Sequence, residues 1–362
     1  MMKEVEMAIV GAGPAGLSAA VEAAKAGVHV VLIDENKRAG GQLFKQTHKF
    51  FGTMEHYAGI RGIEIGERLL KETEDLGVEV LLNTTVWGIF NKDVLAFIQD
   101  EKGGQLKAKK ILLATGANEN PLPFPGWTLP GVMGAGAVQT LINIQRVLPG
   151  RRALMIGAGN VGLIVAYHLM QAGAEVIKVV EGRPVIGGWG VHASKLTRFG
   201  VPVETSKTIK RAEGNEKVER AVLVKIDKDW NEIPGTEEEL NVDLICLAVG
   251  LGPMDDLAWI AGCKFEYLEE LGGYIPKHDQ YMETSIEGIY TAGDSAGIEE
   301  ASVAIEEGRL AGVAIAHSLG YIEDREALKR KKEILKRLHE LRKGPFGEAS
   351  KKAKERLLLR RK

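Results

Sequence analysis

The stretch ALMIGAGNVGLIVAYHLMQAGAEVIKVVE, residues 153–181, changes periodicity twice. It reads as an apolar strand, a turn carrying Gly157, Gly159 and Gly162, a helix closing near Gly173, and a strand ending in Glu181. Such a unit suits a dinucleotide. The first glycine permits the tight bend, the second lets a pyrophosphate reach the backbone, and the third packs helix on strand. Free N–H groups where the helix starts, at Asn160 and Val161, face the phosphates, helped by the helix dipole. Glu181 is placed to accept a hydrogen bond from a ribose hydroxyl. An acid there disfavours a 2′-phosphate and so favours NAD(H) over NADP(H), although Arg183 follows two residues later.

The same layout occurs earlier, in MAIVGAGPAGLSAAVEAAKAGVHVVLIDE, residues 7–35. Gly11, Gly13 and Gly16 form the turn, Pro14 and Ala15 open the helix, and Asp34, followed by Glu35, ends the second strand. The glycine-to-acid separations are 23 and 24 residues. One G-x-G-x-x-G is weak evidence; two, each framed by strand, helix, strand and acid, are strong. ILLATGA (111–117) and LICLAVG (244–250) then read as later strands closing each sheet, and Thr115–Gly116 and Gly250 let backbone approach a ligand. Polar turns divide residues 94–110 and 228–241 into short β-like runs, expected to be antiparallel excursions. A short strand over 288–291 leads into Gly293, Asp294 and a long helix of small residues. The simplest arrangement returns this segment to the first domain. The expected fold is therefore α/β, with two Rossmann-like dinucleotide-binding domains, the second inserted in the first, and a C-terminal helical tail. The expected boundaries are 1–120 plus 255–321, 121–254, and 322–362.

Length and composition fit this plan. The chain has 362 residues, 45% of them apolar, and no apolar run of the roughly 20 residues a membrane span needs. MMKEVE leads straight into a strand without a signal-peptide layout, so a cytoplasmic location is expected. Cys246 and Cys263 make neither a C-x-x-C nor a metal-ligand spacing, and no metal is expected. Net charge is only −2, yet residues 322–362 hold 16 Lys/Arg against 7 Asp/Glu. That asymmetry suggests an appendage with a partner of its own. Leu328, Leu335, Leu338 and Leu341 fall mostly on one helical face, which either packs on its own domain or docks a partner. Phe346 is the only aromatic among these basic residues, which argues against nucleic acid or a membrane surface.

GAGPAG (11–16), GGQL (40–43), ATG (114–116) and TAGD (291–294) together resemble the two-dinucleotide-binding flavoproteins of the glutathione/thioredoxin reductase superfamily. The resemblance implies FAD in the first domain, touching Gly41, Gln42 and Leu43 as well as the glycine turn. Asp294 would be bonded to its ribityl and phosphate region, and a nicotinamide nucleotide would occupy the second domain. One departure is plain: the redox-active cysteine pair of those reductases is missing, so electrons must leave a flavin by another route. Lys45 and His48, just beyond GGQL, are the candidates for polar catalytic residues near the flavin.

Three longer segments carry a narrower resemblance: GGQLFKQTHKFFG, residues 132–176, and IYTAGDSAGIEEASVAIEEGRLAG. They resemble the α subunits of sarcosine oxidase, dye-linked L-proline dehydrogenase, hydrogen cyanide synthase and opine oxidase complexes. This implies an electron-transfer or NADH dehydrogenase subunit in a hetero-oligomer. Its partners would be a catalytic flavoprotein β-type subunit and, for any metal cluster in the complex, a small iron–sulfur subunit. The resemblance leaves room for another adenine nucleotide at the second site and for FMN at a subunit junction. The alternatives are a self-sufficient NADH:acceptor oxidoreductase and a nucleotide-bound scaffold without catalysis.

Overall fold

The computed structural model describes residues 2–344 and 347–359, and the chain divides into two compact units. The first comprises Met1–Asn118 and Gly252–Lys362, the second Glu119–Leu251.

The first unit opens with strand β1 (Lys3–Val10), helix α1 (Pro14–Lys25) and strand β2 (Val30–Ile33). Pro14 presets the first helical turn, where a missing N–H costs nothing. Gly27, at φ +96°, ends α1, and Val28 N–H reaches back to Ala23 O at 3.1 Å, a Schellman closure. Helix α2 (Gly62–Asp75) and strands β3 (Glu79–Leu81), β4 (Thr84–Phe90), β5 (Val94–Gln99) and β6 (Lys102–Leu113) follow. The sheet order is β3-β2-β1-β6-β5-β4; β3, β2, β1 and β6 run parallel, while β4 and β5 form the antiparallel excursion. Val10 lies level with both Ile33 and Leu113. Three strands therefore end together, presenting Gly11, Asp34 and Ala114 at one edge.

After β7 (Ala117–Glu119), the second unit contains β8 (Val132–Gly134), α3 (Ala135–Thr140), β9 (Arg152–Ile156), α4 (Asn160–Gln171), β10 (Glu175–Glu181), α5 (Gly190–Arg198) and β11 (Val203–Thr205). An antiparallel sheet of β12 (Lys207–Glu213), β13 (Arg220–Lys225) and β14 (Glu238–Asn241) precedes β15 (Leu244–Leu247). The main sheet, β11-β10-β9-β15-β8, is parallel throughout. Ile156 lies level with Val180 and Leu247, so this edge repeats the first.

The chain returns through β16 (Leu251–Pro253), α6 (Asp256–Ile260), the hairpin β17 (Phe265–Leu268) and β18 (Gly273–Pro276), and β19 (Ile289–Thr291), which joins β6 in parallel. Helix α7 (Ala301–Ser318) then lies against α1. A Cβ on Gly308 or Gly312 would strike the carbonyl oxygen of Ala15 or Ala19, which explains the small residues of this helix. Helices α8 (Asp324–Leu341) and α9 (Glu348–Leu359) complete the unit.

Of the two expectations for the basic tail, packing on its own domain is what the structure describes. Arg330 pairs with Glu22, Arg337 with Glu306, Arg342 with Glu299 and Glu307, Lys354 with Glu307, and Arg356 with Glu270. Five basic residues of the tail thus pair with acids of the first unit. The apolar face is close to the expected one, with Leu328 left out of it. Ala327, Ile334 and Leu338 enter the core, Leu335 and Leu341 border it, and Leu328 stays 61% exposed. Phe346 lies outside the described residues. No helix among the described residues is long and apolar enough to cross a membrane.

Candidate dinucleotide-binding sites

In the first unit, Gly11 takes φ +104°, and a Cβ there would strike Ala114 O. Gly16 sits under the turn, where a Cβ would strike Gly11 O. Gly13 differs. It is the N-cap of α1 with ordinary extended angles (φ −79°, ψ −171°), and a Cβ built on it meets nothing within 4 Å. The two outer glycines are fixed by the protein, and the middle one faces open space in front of a helix N-terminus. That is the space a pyrophosphate needs.

Asp34 is buried and already engaged. Its Oδ2 accepts Ala12 N–H at 2.7 Å, and its Oδ1 accepts the backbone N–H and side-chain amide of Asn36 at 2.8 and 2.9 Å. An ionised carboxylate has about four acceptor positions, so capacity remains for a ribose hydroxyl. Glu35 points to solvent. Gly40 N–H donates to Ala12 O at 2.7 Å, and a Cβ on Gly41 would come 2.9 Å from Gly13 Cα. The glycine pair therefore presses on the turn, with Gln42 exposed beside it. Leu43, expected to touch the cofactor, has its side chain wholly buried in the core. Thr115 donates its hydroxyl to Met254 O, and Gly116, at φ +80°, again has open space where a Cβ would be.

The second unit repeats this arrangement closely. Gly157 takes φ +105° against Ala248 O, Gly162 lies under Gly157 O, and Gly159 caps α4 with nothing within 4 Å of a Cβ. Glu181 accepts Ala158 N–H at 2.9 Å and Arg183 N–H at 3.1 Å. Val161 is half-exposed on the first turn of α4, and Gly250 takes φ +115° beside Asn120. The repeat extends further than the motif reading. Gly187–Gly188 stand at the same distance beyond Glu181 as Gly40–Gly41 beyond Asp34, and Gly188 N–H donates to Ala158 O at 2.9 Å. Asn160 adds a tie of its own, its Oδ1 accepting Trp189 N–H at 2.8 Å. Equal acid-to-glycine spacing was the available signal. Trp230, at the tip between β13 and β14, covers Gly182, where a Cβ would come 2.5 Å from the indole; its place beside the acid has no sequence signal.

Gly293 and Asp294 open a tight loop after β19 that ends at Gly297, whose N–H donates to Asp294 O at 3.0 Å. Loss of hydration pushes the Asp294 carboxyl up to about 7; the charges of Glu307, Glu299 and Glu300 add to this, and the Glu299 N–H opposes it. Glu306, wholly buried on α7, is held at about 2. Burial alone would raise it, but His56, Arg337 and Arg309 outweigh that.

Lys45 and His48 lie on the strap after the first glycine pair, His48 part-buried and stacked on Phe50 with ring centroids 6.1 Å apart. The strap is anchored by Gly62 N–H on His48 O at 3.3 Å. Cys246 and Cys263 are both free and buried, one in each unit, and burial pushes both thiols up. Such thiols are inert rather than redox-active. No group of three or more His, Cys, Asp or Glu among the described residues is arranged to hold a metal.

Two glycine cradles on parallel sheets, one unit inserted in the other, match a known family model described as pyridine nucleotide-disulphide oxidoreductase over residues 5–308. The chain belongs to this family. It is an oxidoreductase of two-dinucleotide-binding architecture, although it has no cysteine pair of the kind the family is named for. An opine oxidase subunit of Agrobacterium tumefaciens is 29% identical over 85% of this chain and 65% of its own length. Hydrogen cyanide synthase subunit HcnB of Pseudomonas aeruginosa is 29% identical over 92% of this chain and 75% of its own. For the alpha subunit of sarcosine oxidase of Rhizobium meliloti the figures are 29%, 87% and 31%. The chain therefore spans under two thirds of the first of these relatives and about a third of the last. Among solved structures, L-proline dehydrogenase from P. horikoshii superposes with a TM-score of 0.69 at 26% identity, covering 92% of this chain and 60% of that one. Thioredoxin reductase from T. acidophilum shares the fold, with a TM-score of 0.72 at 21% identity over 88% of this chain and 99% of that one.

Proposed function

We propose that this chain is the FAD-containing electron-transfer subunit of a multi-subunit amino-acid or amine dehydrogenase of the proline or sarcosine type, with NADH dehydrogenase capacity of its own. The observation that carries the reading is the pair of open cradles at Gly13 and Gly159, each at a helix N-terminus and each braced by an acid. Family and fold imply FAD and a pyridine nucleotide for such a pair. Bound FAD and NAD(H) supply the redox chemistry, and the protein supplies binding, orientation and electrostatics.

The roles of this chain's residues follow from their positions. The N–H groups at the starts of α1 and α4 hold the two pyrophosphates, with Gly11, Pro14, Ala15 and Gly16 shaping one turn and Gly157, Asn160, Val161 and Gly162 the other. Asp34 and Glu181 fix their glycine turns and offer remaining lone pairs to a ribose. Thr115–Gly116, Gly250, Gly41 and Gln42 bring backbone or amide groups to the ligand edge, and Asp294 meets the ribityl and phosphate region. Lys45 and His48 stand on the flavin side as polar residues. The buried, separated thiols cannot relay electrons as a dithiol, so electrons pass to or from another polypeptide. That three relatives are named as subunits supports a hetero-oligomer. A catalytic flavoprotein β-type subunit would select the substrate, and a small iron–sulfur subunit would carry electrons, in the cytoplasm.

The test is an anaerobic NADH titration of the purified chain, followed by its visible flavin spectrum. Bleaching by one equivalent is expected. A yellow protein indifferent to NADH would remove the dehydrogenase activity and leave the second site a structural nucleotide pocket. A colourless protein that takes up no FAD would sink the whole reading.

A further inference from the structure

The loop Gly293–Gly297 is held from behind by the C-terminal segment. Glu307, on α7, is 2% exposed. Its Oε2 accepts Gly293 N–H at 3.0 Å, and its Oε1 accepts Arg342 Nη2 at 2.6 Å and Lys354 Nζ at 2.8 Å. Lys354, buried on α9, also donates to Ala296 O at 2.7 Å. A single ammonium thus ties a carboxylate to a carbonyl of the loop itself. Arg342, just past α8, reaches on to Glu299, whose two oxygens accept its Nε at 2.9 and 3.1 Å, with Nη2 at 2.6 Å from one of them. Helix α9 is seated by Ala353 and Leu357, which pack with Leu268, Leu271 and Ile275. Leu271 O in turn accepts Ile298 N–H at 2.9 Å, so the far end of the loop leans on the surface that α9 covers.

This is a costly way to stabilise a fold, since apolar residues of similar size often do as well as buried ion pairs. Its geometry, however, converges on one loop. Asp294, Glu299 and Glu307 put three acids beside a site expected to receive a pyrophosphate. Arg342 and Lys354 are the cations that the structure shows bound to two of them.

We propose that the C-terminal segment is a working part of the flavin site: Arg342 and Lys354, acting through Glu307, hold the Gly293–Gly297 loop in the conformation that receives FAD. The inference rests on the FAD reading of the first unit. Both are positioning residues, with no contact to the flavin required of them. Removing the two cations leaves Glu307 buried without countercharge. Movement of the loop away from this charge relieves it, and Gly293 N–H then loses its fixed partner, while Lys354→Met removes the one on Ala296 C=O. Glu307→Gln removes the charge yet keeps an oxygen for Gly293.

The experiment measures FAD affinity of deflavinated full-length protein by fluorescence, with circular dichroism to verify native helix content. Arg342→Gln/Lys354→Met is expected to weaken FAD by at least about tenfold while remaining folded. Adding Glu307→Gln is expected to restore most of the affinity. Lys343→Gln/Lys352→Gln, which removes two exposed tail charges, is expected to bind like wild type. Lys354→Met alone, also measured, gives the reading should the double variant lose its native spectrum; its binding should still weaken. Unchanged affinity in the folded variants overturns the inference, and a triple variant no better than the double overturns the route through Glu307. Wild-type protein without affinity for FAD would instead overturn the flavin reading, and this inference with it.

Discussion

Gly13 and Gly16 stand three positions apart in one motif and do different work. At Gly13 the backbone is ordinary and the Cβ direction is empty, whereas at Gly16 a Cβ would strike the Gly11 carbonyl. Gly13→Val should therefore cost only about 1 kcal/mol in folding stability, mostly through the poorer N-cap, since the backbone is unstrained and the Cβ direction is open. It should still abolish flavin retention, because its side chain takes the pyrophosphate's place. Gly16→Val should cost about 3 kcal/mol or more by overpacking helix against strand. Gly159→Val makes the cross-check, keeping flavin while losing NADH. Flavin-to-protein ratios and thermal melts of the three variants read this directly. Full flavin content in folded Gly13→Val would mean that the first cradle is not where FAD lies.

One step up, the acid at the end of each second strand braces its glycine turn and is the group proposed to meet the ribose. Glu181 braces Ala158 and Arg183 through their N–H groups, so a change there alters the cradle as well as the proposed ribose contact. Glu181→Arg loses both braces and gains a cation suited to a 2′-phosphate, whereas Glu181→Gln keeps one good acceptor. Losing a charged hydrogen bond is worth about 2 kcal/mol, so NADH should weaken by roughly tenfold or more in the arginine variant, with NADPH weakened far less. Equal losses for both nucleotides would mean that Glu181 only braces the turn. The paired units are legible in the sequence because glycine turns impose fixed backbone angles, and Gly11, Gly27, Gly157 and Gly173 all take the positive φ their places require. Local rules reach that far and then fail in identifiable ways. The motif places Leu43 at the cofactor edge but does not show that its apolar side chain goes to the core. The Glu307–Arg342 pair cannot be read, because nothing local says where α8 will turn back. The charge imbalance of the tail is visible, but the five ion pairs that seat it on the first unit are not.

Acidification should separate the two units, because the first holds buried acids that offset its buried histidine and the second does not. In the second unit, burial pushes His168 down to about 4, with Lys195 and His192 adding, and burial and Lys195 lower His192 as well. The Asn143 amide lies 3.1 Å from His168 Nδ1, an arrangement that suits a neutral ring. As pH falls below about 6.5 the unfolded chain takes up protons that folded His168 refuses, so stability is lost down to about pH 4. His168 alone accounts for about 2 kcal/mol at about pH 5. In the first unit His278, also lowered to about 4 by burial and Lys354, acts in the same sense. Against it stand Asp294, raised to about 7, and Asp255, raised to about 6, both chiefly by burial. Their folded states bind the proton more tightly than the unfolded chain does, so they gain stability as pH falls from about 7 to about 4 and offset the histidine. Hydrogen exchange between about pH 7.5 and about pH 5, corrected for intrinsic rates, should then show protection falling in β9, α4 and β10 while β1, α1 and α7 hold. His168→Gln should flatten the loss in the second unit and leave the first unchanged. Equal losses in both units, or none in either, would mean that these buried groups do not govern the acid response.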